Sequence, residues 1–110
     1  RQRLGRIATV DPNGAPRVVP TGFRYNVETG TIDCGGIDLA ATRRYRDVQS
    51  NPFVAFAIDD LASTDPWRPR AVLIRGTAQT FDGNHATGGF KGAWMRITPT
   101  SISSLGINPA

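Results

Sequence analysis

The chain opens with a period-two rhythm. In LGRIATV (4–10), Leu4, Arg6 and Ala8 alternate with Gly5, Ile7 and Thr9 before the run meets DPNG at 11–14. Asp-Pro starts a turn because proline presets φ, and Asn-Gly finishes it because it accepts positive φ. APRVVPTGFRY (15–25) resumes as a strand, but Pro16 and Pro20 lack the N–H that a central ladder uses. That strand is expected at an edge, at a bulge or turned toward a ligand. NVETG marks a second turn, and TIDCGG (31–36) a third strand ending in two glycines. FVAFAID (53–59) is nearly continuous in apolar residues and reads as a strand covered on both faces. LASTDPWRP (61–69) reads as a loop. RAVLIRGTAQTF (70–81) is the longest strand pattern, its Gly76 marking a bend or a close backbone approach. DGNHATGGFKG (82–92) reads as a loose hairpin tip, and AWMRITPTSISSLG (93–106) as one or two last strands around Pro99.

Between Asp38 and Ser50 the period changes. Ala41, Tyr45 and Val48 fall on one helical stripe with Leu39 just before it, while Arg43, Arg46, Asp47 and Gln49 fall away from it. Arg43 and Asp47 have the spacing of an ion pair on a solvated face. Thr42 suits an N-cap, and Asp38 would cap a longer version. One helix among about six short strands favours a small antiparallel barrel, mainly β, with the helix crossing a gap. At 110 residues the chain fits one domain, 1–110, in which a deep pocket would consume much of the core. A ligand site is therefore expected between two copies.

Composition narrows the function classes. No apolar run approaches the ~18 residues that cross a bilayer, which points away from a membrane protein and toward the cytoplasm. The chain begins at Arg1 rather than Met, so a segment upstream is expected. Cys34 is the only cysteine, which excludes an internal disulfide and a thiolate metal cluster. Asp59, Asp60 and Asp65 have no partner at ligand spacing and read as loop and turn residues rather than a metal site. The net charge of +4 rests on arginine, since Lys91 is the only lysine. Spread along the chain, it forms no patch of the kind that binds nucleic acid.

The helix start carries the candidate chemistry. If Thr42 is the cap, Arg43 and Arg44 occupy the end of the macrodipole where cations cost up to about 1 kcal/mol each. A phosphate there would remove the conflict, taking bonds from free N–H groups, the Thr42 hydroxyl and a guanidinium. A helix beginning at Asp38 would remove it as well, leaving only a solvated face. Elsewhere, Trp67 and Trp94 suit ring stacking or an interface, and Arg24 and Arg70 suit an anionic ring edge or the surface. Cys34 reads as a small buried apolar residue. His85, in a glycine-rich loop, and TGGFKG, which lacks the context of a nucleotide loop, carry no assigned role.

The stretches RLGRIATVDPNGAPRVVPTGFRY, TGTIDCGG, TRRYRDVQSNPFVAFAIDD, PWRPRAVLIRGTAQ and MRITPTSISSLG together resemble the pyridoxamine 5'-phosphate oxidase-like flavin-binding split barrels, particularly their deazaflavin-dependent branch. The resemblance covers nearly the whole chain in the family's order. It implies an antiparallel split β-barrel with one or two helices, and a hydroxyl-x-Lys/Arg phosphate site at Thr42 and Arg44 with Arg43 beside them. It also implies a ring wall formed by the backbone of Pro20, Thr21, Gly22 and Phe23. A homodimer with two interfacial sites follows too, the partner contributing Trp67, Arg70 and the last strands. The family often has lysine where Arg44 stands, and its usual N-terminal helix would lie ahead of Arg1.

An oxidoreductase is the reading this favours. A reduced deazaflavin (coenzyme F-420) or FMN would pass hydride to an electron-poor small molecule such as an enone or quinone, and the protein would supply orientation and charge. A non-catalytic flavin or haem carrier on the same barrel, and a small nucleic-acid-binding barrel, are the alternatives.

Overall fold

A computed structural model of the chain describes residues 4–36, 38–83 and 92–106. Six strands appear in it: β1 (Leu4–Val10), β2 (Pro16–Asn26), β3 (Thr31–Gly35), β4 (Phe53–Thr64), β5 (Trp67–Phe81) and β6 (Trp94–Leu105). A single 3₁₀ turn, Leu39–Ala41, leads into helix α1 (Arg43–Ser50) between β3 and β4. Every pairing is antiparallel, and the order β1-β2-β3-β6-β5-β4 closes through β4 and β1 into a barrel. The mainly β, split-barrel expectation holds. No described helix is long and apolar enough to cross a membrane.

Local chemistry sets the turns. The Asp11 carboxylate accepts from the N–H groups of Asn13 and Ala15, each at 2.9 Å, and Gly14 takes φ 85° to close the β1–β2 hairpin. The core is one cluster inside the ring, with Ile7, Phe56, Met95 and Ile97 at its centre and Leu39, Tyr45 and Val48 brought to it from the helical segment. Phe23 meets Phe56 edge to face at 5.4 Å, and Phe81 stacks on the buried Trp94 at 4.2 Å. Trp94 is thus a packing residue.

β3 and β6 share a short register, Ile32 to Cys34 against Ile97 to Met95. Asp33, fully buried, reinforces that seam by accepting from Arg96 Nε (3.0 Å) and Nη2 (3.2 Å), from Thr31 and from Asn26. At Gly76 the close approach expected from the sequence is present. A Cβ there would lie 2.2 Å from the Thr98 carbonyl oxygen, beside the register shift that sets Gly76 against Pro99 and Arg75 against Ser101. Trp94–Leu105 therefore form one strand with a bulge.

Several expectations are corrected. LASTDPWRP is no loop. β4 and β5 run through it as a hairpin that turns at Asp65-Pro66, with a bulge between Leu61 and Ser63. Its prolines and aspartates suggest a loop, but residues 67–70 pair only with β4, an edge where proline is tolerated. Asp59 and Asp60 are strand residues paired with Arg6 and Arg70. FVAFAID buries Val54 and Phe56 but leaves Phe53 68% exposed, so one chain covers only one face of β4. The helical segment is broken at Thr42, and Ala41 faces out. Asp47 is buried and bonded to Thr9 and Arg17 rather than paired with Arg43. Period-3.6 counting places Asp47 off the apolar stripe but cannot register a polar partner beneath it. His85 and most of TGGFKG lie outside the described residues.

Candidate functional site

β2 pairs with β1 from Pro16 to Gly22, and β3 joins it only from Gly22 to Asn26. Among the described residues, the half that contains Pro16 and Pro20 thus has one unpaired edge, where a missing N–H is tolerated. β3 leaves the sheet at Gly35, paired with Gly22, and the chain passes Gly36 toward the 3₁₀ turn and α1. Arg44, in the first turn of α1, reaches back to Gly36, one residue beyond the Gly22–Gly35 pair at which β3 leaves β2.

α1 begins at Arg43, so both arginines occupy its first turn. Thr42 has extended backbone and caps the helix. Its hydroxyl accepts from the Tyr45 N–H at 3.4 Å and donates its proton to the Leu39 carbonyl at 2.6 Å. The amides of Arg43 and Arg44 lie within the turn that has no intrahelical acceptor. The first turn itself holds no acidic residue to offset the dipole.

Arg44 is the unusual member. Its side chain is half-buried, and its Nε is buried without a hydrogen-bond partner. A Cβ on Gly36 would lie 3.1 Å from Arg44 Nη2, so the glycine leaves room for the guanidinium. Burial pushes the Arg44 pKa down, with the neighbouring Cys34 opposing. The Cys34 thiol is pushed up to about 12 by burial and by Asp33, with Arg44 acting the other way, so it stays a neutral buried group, as expected. A half-buried cation with an orphaned donor, next to free helix N–H groups and a glycine gap, fits an anion of phosphate size.

The remaining site candidates divide. Thr21 is buried and Gly22 and Phe23 partly so, while Pro20 is exposed on the open edge. Phe23 turns inward onto Phe56, so β2 offers backbone to that edge rather than this ring. Arg43 is exposed. Trp67 is 69% exposed on the β4–β5 hairpin, and Arg70 is bidentate on Asp60 at 2.8 and 2.5 Å. No hydrogen bond or ring contact joins either residue to α1 or β2 among the described residues. Groups of metal ligands are likewise absent among them.

The outer faces of β1, β4, β5 and β6, with Val18 of β2, form an open apolar surface. A depression of ≈ 590 Å³ lies on it, lined by Ala8, Val18, Ala57, Leu73 and Ser103 with Arg75 at its side. Val18 (61%) and Leu73 (49%) are well exposed.

Sequence reasoning missed Gly36 as the gap beside Arg44, read Asp47 as a solvated partner of Arg43 rather than a buried one of Thr9 and Arg17, and gave Arg17 no role. Only the two consecutive glycines gave a signal.

Comparison with known proteins places this arrangement. The family model described as pyridoxamine 5'-phosphate oxidase matches residues 1–102. A 5a,11a-dehydrotetracycline/5a,11a-dehydrooxytetracycline reductase of Streptomyces rimosus is 40% identical over 108 residues, covering 96% of this chain and 76% of that protein. Among solved structures, an FAD-binding protein from Mycobacterium smegmatis matches with TM-score 0.70 at 22% identity, over 94% of this chain and 83% of that one. A protein described as an F420 reductase matches with TM-score 0.70 at 20% identity, over 94% and 90%.

Proposed function

Because this chain belongs to the pyridoxamine 5'-phosphate oxidase family, we propose that it is a reductase acting on a conjugated carbon–carbon double bond in an electron-poor, enone-like ring system. The observation that carries this reading is the 40% identity, across nearly the whole chain, to a dehydrotetracycline reductase. Deazaflavin F-420 is the preferred cofactor and FMN the second, in keeping with the F420 reductase among the structural matches.

Arg44 and the first N–H groups of α1 would hold the cofactor phosphate, with Thr42 keeping that turn capped and Gly36 leaving it space. The orphaned Arg44 Nε supports this assignment. The open edge of β2 from Pro20 to Phe23 would place backbone groups against the ring. A reduced flavin or deazaflavin, when bound, supplies hydride to one alkene carbon, and a proton then reaches the other. The chain's own contribution is binding, orientation and exclusion of water.

The functional unit is a homodimer, in which the apolar outer face is covered by a second copy and the β4–β5 hairpin brings Trp67 and Arg70 to the partner's site. The exposure of Phe53, Leu73 and Val18 supports this, since such apolar surface on a small chain marks a contact face. The test is direct. Purified protein titrated with F-420 and FMN should bind at least one, and the bound cofactor, once reduced, should be reoxidised, its visible absorbance returning, when a dehydrotetracycline-type enone is added. Binding of neither cofactor at millimolar concentration overturns the reading.

A further inference from the structure

The polar cluster beneath α1 is not used by the site as described so far. Asp47 is 3% exposed, and its Oδ2 accepts both from Thr9 Oγ1 at 2.7 Å and from Arg17 Nε at 3.0 Å. Thr9, on β1, is 1% exposed. Arg17 lies on β2, in the half that has no second strand partner among the described residues, three residues before Pro20. Its Nη2 also stands 3.8 Å from Asp11. Burial alone would raise the Asp47 pKa, but the bonds from Thr9 and Arg17 and the charges of Arg17 and Arg46 outweigh it, and the group stays ionised.

One carboxylate oxygen thus joins three elements. It lies a single turn from Arg44 on a helix of only eight residues, so any tilt about this point displaces the Arg44 guanidinium. Its other partner, Arg17, tethers the β2 segment that no strand among the described residues holds on its far side. We propose that Asp47 is a positioning residue. Through Arg17 and Thr9 it sets the gap between the start of α1, which takes the phosphate, and the open edge of β2, which takes the ring. This rests on the cofactor site proposed above. A merely structural ion pair would stabilise the fold without influencing what Arg44 does.

The test is a double-mutant cycle read by cofactor titration. Asp47→Asn keeps the size and an acceptor for Thr9 but removes the pairing with Arg17. It should weaken binding of F-420 or FMN about tenfold, the effect of losing fixed geometry in a charged contact. In an Arg44→Met background the same change should alter affinity by less than about twofold, because the contact it positions is gone. Equal effects in both backgrounds, or no effect in either, overturn the proposal. Arg17→Lys, which keeps a cation beside Asp47, should retain more affinity than Arg17→Met, and equal losses would also overturn it. Amide exchange gives a reading independent of cofactor. Asp47→Asn should speed exchange at Tyr45, in the first turn of α1, while Ile7 in β1 stays protected. If the unmodified protein binds neither cofactor, the functional reading fails, and unchanged Tyr45 exchange then sinks the positioning role by itself.

Discussion

Removing the Arg44 guanidinium should pull stability and affinity in opposite directions. Arg44→Met keeps an unbranched apolar stem but deletes the charged fork that stands beside Gly36. In the free protein that fork is half-buried, its pKa is pushed down by desolvation, and its Nε donates to nothing. A buried donor left unsatisfied costs about 1–3 kcal/mol, so the variant should be as stable as the parent or up to about 1 kcal/mol more stable. On a chain of this size that is a rise of at most ~5 °C in Tm. With cofactor the sign reverses. A charge-assisted bond to phosphate nets roughly 1.5–3 kcal/mol, and taking about 2 kcal/mol gives a ~30-fold increase in Kd. Two assays suffice: thermal unfolding without ligand, and fluorescence titration with F-420 and FMN. A fall of several degrees with unchanged Kd would refute the reasoning, because it would make Arg44 a structural side chain. Arg44→Lys should recover most of the affinity as a point charge while losing the planar geometry.

Gly76→Ala should destabilise the barrel by at least ~2 kcal/mol, because its Cβ would meet the backbone oxygen of Thr98 at 2.2 Å; an unchanged chemical-denaturation midpoint would contradict the bulge geometry. Cys34 should be silent toward a thiol reagent at pH 8 in the native protein and react once denatured. Its folded pKa is raised from 9.0 to about 12, so the stability it confers is intact below pH 9.0 and lost as pH rises toward 12; native reactivity at pH 8 would show that the thiol is reachable. Leu73→Lys, in the middle of the apolar outer face, should turn a dimer into a monomer by light scattering and weaken cofactor binding. A monomeric parent that binds cofactor fully would remove the dimer from the scheme.

Much of the fold was legible because the turns announce themselves. Asp11 to Gly14 and the glycine at position 76 have one physical use each, and the structure employs both. Pairing is harder to read than periodicity. The sequence shows that Pro16 and Pro20 weaken a ladder, but not that β3 leaves β2 at Gly35 and so frees that edge. The hairpin through Asp65-Pro66 was hidden because proline and aspartate are penalised only where a second strand must pair, and there none does. Asp47 was hidden for a related reason. A carboxylate under a helix looks like one on its surface until Thr9 and Arg17, 38 and 30 residues away in sequence, are known to lie beneath it.

What local rules object to also marks the candidate site. Prolines inside a strand, paired arginines at the positive end of a helix and a buried guanidinium nitrogen without an acceptor are each unfavourable alone. Pro20 lies two residues from Gly22, where β3 leaves β2, and Arg44 reaches Gly36 just beyond that point. The rest of the barrel is locally consistent, with satisfied turns, a contiguous apolar core and a buried Asp33 whose oxygens are bonded on several sides. A sequence selected only for stability would have relaxed these conflicts, through an acidic residue in the first turn of α1 or a hydrogen-bonding residue at position 20. Their concentration at one end of the barrel makes that end the candidate for an anionic, planar ligand, since a phosphate would give Arg44 Nε and the first N–H groups of α1 an acceptor that the described residues do not provide.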